Sequence, residues 1–156
     1  MEKQNFFDLN FDQLKNFLID KVEVDRNKAK MRAQQMFNAV YKKNIKNLDE
    51  LTTFGLELRE KIKSIISLEK PKIVDVQKSK DGTIKFLLEL KDKRNVETVL
   101  IPDKTQSRFT ICLSVSVGCY LSCEFCATAQ ISKKLVRNLS PGEIISQIIL
   151  CKDSLD

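Results

Sequence analysis

Apolar residues recur at helical spacing over roughly the first seventy positions, then at alternate positions, then at helical spacing again. Leu14, Phe17, Leu18 and Val22 predict a first helix. A second starts near Asp25, a good N-cap, and carries Ala29, Ala33, Met36, Phe37, Val40 and Tyr41 on one face. A third is predicted over 53–67, with Leu56, Leu58, Ile62, Ile65 and Ile66 as its apolar set. Pro71 closes the helical part. Alternation then predicts strands over 72–77, 83–90 and 96–101, a small antiparallel meander. Asp81-Gly82 marks the first hairpin turn, and Asp92-Lys93-Arg94-Asn95 the second.

The stretch 108–117 alternates most regularly. Phe109, Ile111, Leu113, Val115 and Val117 fall on one side, and Thr110, Cys112, Ser114 and Ser116 on the other. An apolar face suits a covering helix, and a small polar face suits a cavity. The strand runs into a cysteine-rich loop. Ser140-Pro141-Gly142-Glu143 then reads as a capping box with proline at the first helical position. Ile144, Ile145, Ile148 and Ile149 are the expected buried stripe of that last helix, with Cys151 as packing. The order is helices, meander, then strand, loop and helix.

Composition narrows the chemistry. The chain has 156 residues and is 42% apolar, enough for one domain or two small ones. No apolar run approaches a membrane span, and the first residues lack a signal-peptide layout. With no export signal, the cysteines are expected to be reduced, in the cytoplasm. There is no histidine, so Ser-His-Asp and Cys-His nucleophile systems cannot be built within this chain. Net charge is +6, which suits a polyanion such as RNA and equally an ordinary lysine-rich surface. The basic residues of the helical part, among them Lys28, Lys30, Arg32, Lys42, Lys43 and Lys46, leave the same two uses open.

Cys119, Cys123 and Cys126 stand in a C-x3-C-x2-C spacing. Three thiolates on one short loop can hold three irons of a four-iron cluster and leave the fourth iron open for a ligand. A zinc site needs four ligands, and neither Cys112 nor Cys151 makes the second close pair of a zinc ribbon. Five cysteines with no secretory signal make a poor disulfide framework.

Two further residues stand out. Alternation puts Glu97 beside Val99 and Ile101, where partial burial would suit it to exchange protons. A place at the strand start beside solvent is the other use. Cys112 falls on the small polar side of its strand, either facing a cavity or simply filling space.

C-x3-C-x2-C with Phe125 just before the last cysteine resembles the radical S-adenosylmethionine signature. Val96-Glu97-Thr98-Val99-Leu100-Ile101-Pro102, Ile111-Cys112-Leu113-Ser114, Val117-Gly118-Cys119, Cys126-Ala127-Thr128, Arg137-Asn138-Leu139 and Glu143-Ile144-Ile145 resemble the RNA adenine carbon-2 methyltransferases of the RlmN type. Leu51-Thr52 and Leu58-Arg59 resemble that family's helical accessory domain.

The resemblance implies an α/β fold in three parts. Residues 1–70 would be the helical accessory domain, 71–104 an antiparallel β meander, and 105–156 the first strand, loop and helix of a truncated radical-SAM partial (β/α) barrel. It implies a 4Fe-4S cluster on Cys119, Cys123 and Cys126, with S-adenosyl-L-methionine on the open iron and Phe125 near it. Glu97 would be the proton acceptor. Cys112 would form a transient disulfide with a methyl-carrying cysteine that is absent from this chain. The substrates implied are 23S ribosomal RNA and transfer RNA, the electron comes from a separate donor, and the protein acts as a monomer with no membrane. Lys133, Lys134 and Arg137, in the basic stretch after the loop, are candidate RNA contacts.

The chain departs from the family pattern by about two extra residues between Cys126 and Arg137, by Ala129 in place of glycine, and by extra length between Pro102 and Cys112. Family members are more than twice as long, so the reaction is expected to be incomplete in these residues alone. The rival readings are a non-catalytic iron–sulfur or RNA-binding fragment and a carbon-8 methylating relative.

Overall fold

The computed structural model describes residues 3–103, 105, 108–121, 123–124 and 134–155. The chain divides into two compact units, Met1–Glu69 and Lys70–Asp156.

The first unit is helical. Helix α1 (Phe11–Asp20) opens with a reciprocal capping box: the Gln13 N–H donates to Asn10 Oδ1 at 2.9 Å, and the Asn10 N–H donates to Gln13 Oε1 at 2.8 Å. Helix α2 (Arg26–Phe37) starts where Asp25 accepts the Asn27 N–H at 2.8 Å, and runs on into a wider turn over Asn38–Lys42. Helix α3 (Leu56–Ile65) is shorter than its apolar spacing predicts. Ile66 has extended backbone, and Ile66–Ser67 form strand β2, parallel to β1 (Gln4–Asn5). A β-branched pair at a helix end favours this exit. Leu56, at the first helical position, is exposed.

The core of this unit holds Phe6, Leu14, Leu18, Met36, Ile62 and Ile66, all essentially inaccessible. Phe6, Phe7, Phe11, Phe37 and Tyr41 form a chain of tilted and edge-on rings with neighbouring centroids 5.3–6.3 Å apart.

The second unit is built on an antiparallel sheet in the order β3 (Lys72–Lys78), β4 (Ile84–Glu89), β5 (Asn95–Asp103), β6 (Arg108–Cys112). Gly82 makes the β3–β4 turn at φ +93°, where a side chain would be strained. Phe86, Leu88, Val96 and Leu100 line the inner face. Ile111, Ile144, Leu150 and Cys151 pack there too, so helix α4 (Pro141–Asp153) covers the sheet. Ser140 and Glu143 cap α4 as its sequence predicts.

The expected continuous strand over 108–117 is interrupted. Its first half, β6, is the fourth strand of the meander, antiparallel to β5. Residues 113–115 leave the ladder. Its last two residues, β7 (Ser116–Val117), pair antiparallel with β8 (Arg137–Asn138). The cause lies in α4. Gln147, fully buried, donates to the Ser114 carbonyl at 2.9 Å and accepts the Ser114 N–H at 3.0 Å. One side chain thus satisfies both backbone groups that a neighbouring strand would otherwise hold. This also turns the helix from its predicted setting: Ser146, Gln147, Ile149 and Cys151 are buried, whereas Ile148 is exposed.

Candidate functional site

The cysteine loop begins where β7 ends. Gly118 takes φ +75°, a left-handed turn that glycine adopts without strain. Cys119 follows, half-buried, and its Sγ accepts the Leu121 N–H at 3.4 Å. Cys123 is half-buried and unbridged. Cys126, Phe125 and Lys133 lie outside the described residues. A backbone N–H aimed at a thiol sulfur, on a loop with two half-buried unpaired cysteines, fits thiolate ligation of an iron–sulfur cluster. Among the described residues no three metal-ligating side chains converge.

The two sides of the loop are tied together at its base. The Val136 N–H donates to the Val117 carbonyl and the Leu139 N–H to the Val115 carbonyl, both at 2.9 Å. Arg137, on β8, makes a fork with Glu143, with Nη1 at 2.8 Å and Nη2 at 2.7 Å from its two oxygens. Its Nε donates to Asp92 Oδ2 at 2.9 Å, in the β4–β5 turn. These bonds hold the Asp92 and Glu143 carboxyls below the usual carboxylate range, and raise the already high proton affinity of the guanidinium. The sequence suggested an RNA contact at Arg137. The structure gives its guanidinium to two carboxylates at the loop base, with Nε on Asp92 and both Nη nitrogens on Glu143. Lys134 is exposed.

Glu97 and Cys112 come together on the outer face of the sheet. Cys112 stands opposite Val99 across the β5–β6 pair, so it shares a face with Val99 and, two residues back, Glu97. Such diagonal neighbours lie roughly 7–8 Å apart. The Cys112 thiol is exposed. Glu97 is exposed as well, with Lys85 Nζ 3.0 Å from its Oε1. The burial considered for Glu97 is therefore not found. On β5 the buried positions are Val96, Thr98 and Leu100, and Glu97, Val99 and Ile101 occupy the opposite side. Cys151 is buried on α4, where burial pushes its thiol up to about 11, the condition of an inert packing cysteine.

Sequence reasoning missed a polar node behind this face. Gln147 Oε1 also accepts from Thr98 Oγ1 at 2.6 Å, Gln147 Nε2 also donates to the Glu143 carbonyl at 3.1 Å, and Ser114 Oγ donates to the Glu97 carbonyl at 2.7 Å. The only sequence signal was a glutamine one turn beyond Glu143, on the helix face that buries Cys151.

Known proteins resemble this chain along nearly its whole length. Residues 4–68 match the family described as Ribosomal RNA large subunit methyltransferase N-terminal domain. The Dual-specificity RNA methyltransferase RlmN of Campylobacter fetus is 39% identical over 160 aligned residues, covering 96% of this chain and 42% of that protein. The Probable dual-specificity RNA methyltransferase RlmN of Staphylococcus epidermidis is 38% identical, covering 99% of this chain and 40% of that protein. The crystal structure of a radical SAM methyltransferase from Sphaerobacter thermophilus superposes with a TM-score of 0.82 at 31% identity, covering 97% of this chain and 42% of that one. The chain thus spans about two fifths of the length of the curated relatives it matches. Among the described residues no helix is long and apolar enough to cross a membrane. In both sequence and fold, then, the chain is similar to about two fifths of the length of the RlmN-type radical SAM methyltransferases.

Proposed function

We propose that this chain takes part in methylating carbon 2 of adenine in 23S ribosomal RNA and transfer RNA through a methyl-cysteine intermediate. The observation that carries the reading is the placement of Glu97 and Cys112 on one exposed sheet face, with Cys112 seven residues of chain before Cys119. An open face with a carboxylate beside a thiol suits a reaction that must release a methylated base and take up a proton.

Cys119, Cys123 and Cys126 would hold a 4Fe-4S cluster, with Phe125 beside S-adenosyl-L-methionine. When bound, that pair supplies the radical chemistry that an unreactive aromatic carbon demands. Cys112 then pairs transiently with a methyl-carrying cysteine outside these 156 residues, and Glu97 accepts the proton leaving the base. The adenine must be unstacked to reach this face, which favours loops over duplex. Lys133 and Lys134, in the basic stretch after the loop, would meet phosphate, and Arg137 only if its carboxylate partners release it. The helical first unit serves as the accessory domain. The reading also makes the protein a cytoplasmic monomer that takes its electron from a separate donor.

Anaerobic reconstitution with iron and sulfide tests this. The expected result is cluster absorbance that is lost on Cys119→Ala or Cys123→Ala, followed by cleavage of S-adenosylmethionine. Mass spectrometry of the RNA then distinguishes 2-methyl from 8-methyl adenine. Absence of cluster absorbance sinks the reading. A cluster without RNA methylation favours a non-catalytic iron–sulfur or RNA-binding fragment.

A further inference from the structure

Glu97 and Cys112 face outward, yet their backbones are anchored from the inner side by one buried side chain. Gln147 is inaccessible to solvent, and its carboxamide is fully engaged. Oε1 accepts from Thr98 Oγ1 at 2.6 Å and from the Ser114 N–H at 3.0 Å. Nε2 donates to the carbonyls of Ser114 at 2.9 Å and Glu143 at 3.1 Å. Thr98 is the residue after Glu97, and Ser114 lies two residues after Cys112. Ser114 Oγ closes the circuit by donating to the Glu97 carbonyl at 2.7 Å.

Apolar packing in the same place would be non-directional and would tolerate a slide between strands. A slide of one residue would send Glu97 or Cys112 to the wrong face. Hydrogen bonds with fixed donors and acceptors tolerate no such slide. We infer that Gln147 is a positioning residue that locks Glu97 and Cys112 in their diagonal placement, acting through Thr98 and Ser114. This rests on the assignment of Glu97 and Cys112 to the reaction proposed above, but its test needs neither cluster nor RNA.

The probe is an anionic aromatic disulfide, dithiobisnitrobenzoate, applied to the full 156-residue chain. The Cys112 thiolate attacks the reagent's S–S bond, forms a mixed disulfide and expels one thionitrobenzoate anion. Peptide mass spectrometry gives the rate at each cysteine. A neighbouring carboxylate repels the anionic reagent, so Glu97→Gln speeds Cys112 modification about two- to threefold in the native background. In Gln147→Met the same Glu97→Gln change leaves the rate unaltered, because the two side chains no longer keep their spacing. Cys151, buried on the same helix, stays slow in both backgrounds and reports on loosening of α4.

An undiminished Glu97 effect in folded Gln147→Met overturns the inference. Cys151 reacting in step with Cys112 overturns it too, since Gln147 would then merely hold the helix down. If Gln147→Met does not fold, the double variant Thr98→Val, Ser114→Ala decides. Loss of the Glu97 effect supports the inference, and its persistence overturns it. Failure of the cluster to assemble would remove the proposed function and leave this cycle of variants intact.

Discussion

The two units of this chain are held by opposite means. In Met1–Glu69 the centre is apolar, with Phe6, Leu14, Leu18, Met36 and Ile62 shut away from water and a run of aromatic rings beside them. In Lys70–Asp156 an apolar sheet face is joined to two polar assemblies. Gln147, Thr98 and Ser114 form one, and Arg137, Glu143 and Asp92 the other. Both polar assemblies stand beside the segments that carry the candidate chemistry. Apolar burial contributes stability without fixing register, whereas directional bonds fix register at some cost in desolvation. The unit that carries the candidate site residues uses the second device.

Four measurements sharpen or break this contrast, in urea unfolding followed by two local probes. The chain lacks tryptophan, so Tyr41, packed against Phe6 and Phe37, reports on the first unit by fluorescence, and Cys151 labelling reports on the second. The largest effect is expected from Phe6→Ala, about 3–5 kcal/mol at the Tyr41 probe, since a fully buried ring leaves a cavity among other rings. A cost below about 1 kcal/mol would show that the aromatic cluster is not the first unit's anchor.

Gln147→Leu comes next. It keeps the volume but leaves Thr98 Oγ1 and both Ser114 backbone groups without their partner, and is expected to cost about 2–3 kcal/mol at the Cys151 probe. Were the second unit held like the first, an apolar replacement here would be neutral or stabilising, and that result would dissolve the comparison.

Arg137→Met is expected to cost about 1–2 kcal/mol near neutral pH, the low end allowing for its partial exposure. Its pH dependence carries more information. Arg137 lowers the Glu143 and Asp92 carboxyls in the folded state, so the stability they contribute is complete above the ordinary carboxylate range. That stability is lost as pH falls below about 4, through the depressed folded values. The native chain should therefore weaken in acid more steeply than Arg137→Met. Parallel acid profiles would mean that the ion group contributes nothing.

The smallest effect is expected at Leu56→Ala. This leucine lies in the predicted apolar set of the third helix yet is 67% exposed, so the cost should stay within about 0.5 kcal/mol. A larger loss would mean that the side chain is covered in solution.

The same contrast explains which features could be read along the chain. The helices of the first unit announce themselves because apolar side chains must share one stripe to leave water, and the stripe has a period. Asp25, Ser140 and Glu143 cap where their chemistry predicts, since a helix end has orphan N–H groups that only a few residue types satisfy. Asp81-Gly82 turns where a left-handed residue is needed. Regular alternation over 108–117 misled because period shows which residues share a side, and cannot show whether the ladder persists. The partner that interrupts it comes from Gln147, thirty-three positions away. Arg137 looked like a free cation because its acidic partners are six positions ahead and forty-five behind.

The sequence by itself determined the main helices and the first three strands of the meander, the caps at Asp25 and Ser140, the turn at Gly82, the family resemblance and the trio Cys119, Cys123 and Cys126, because each depends on neighbours a few residues apart. Tertiary structure alone decided that Glu97 and Cys112 share an open sheet face, that Arg137 clamps the loop base, and that Gln147 stands behind that face. Those facts depend on directional bonds between distant residues, and hydrophobic periodicity carries no record of them.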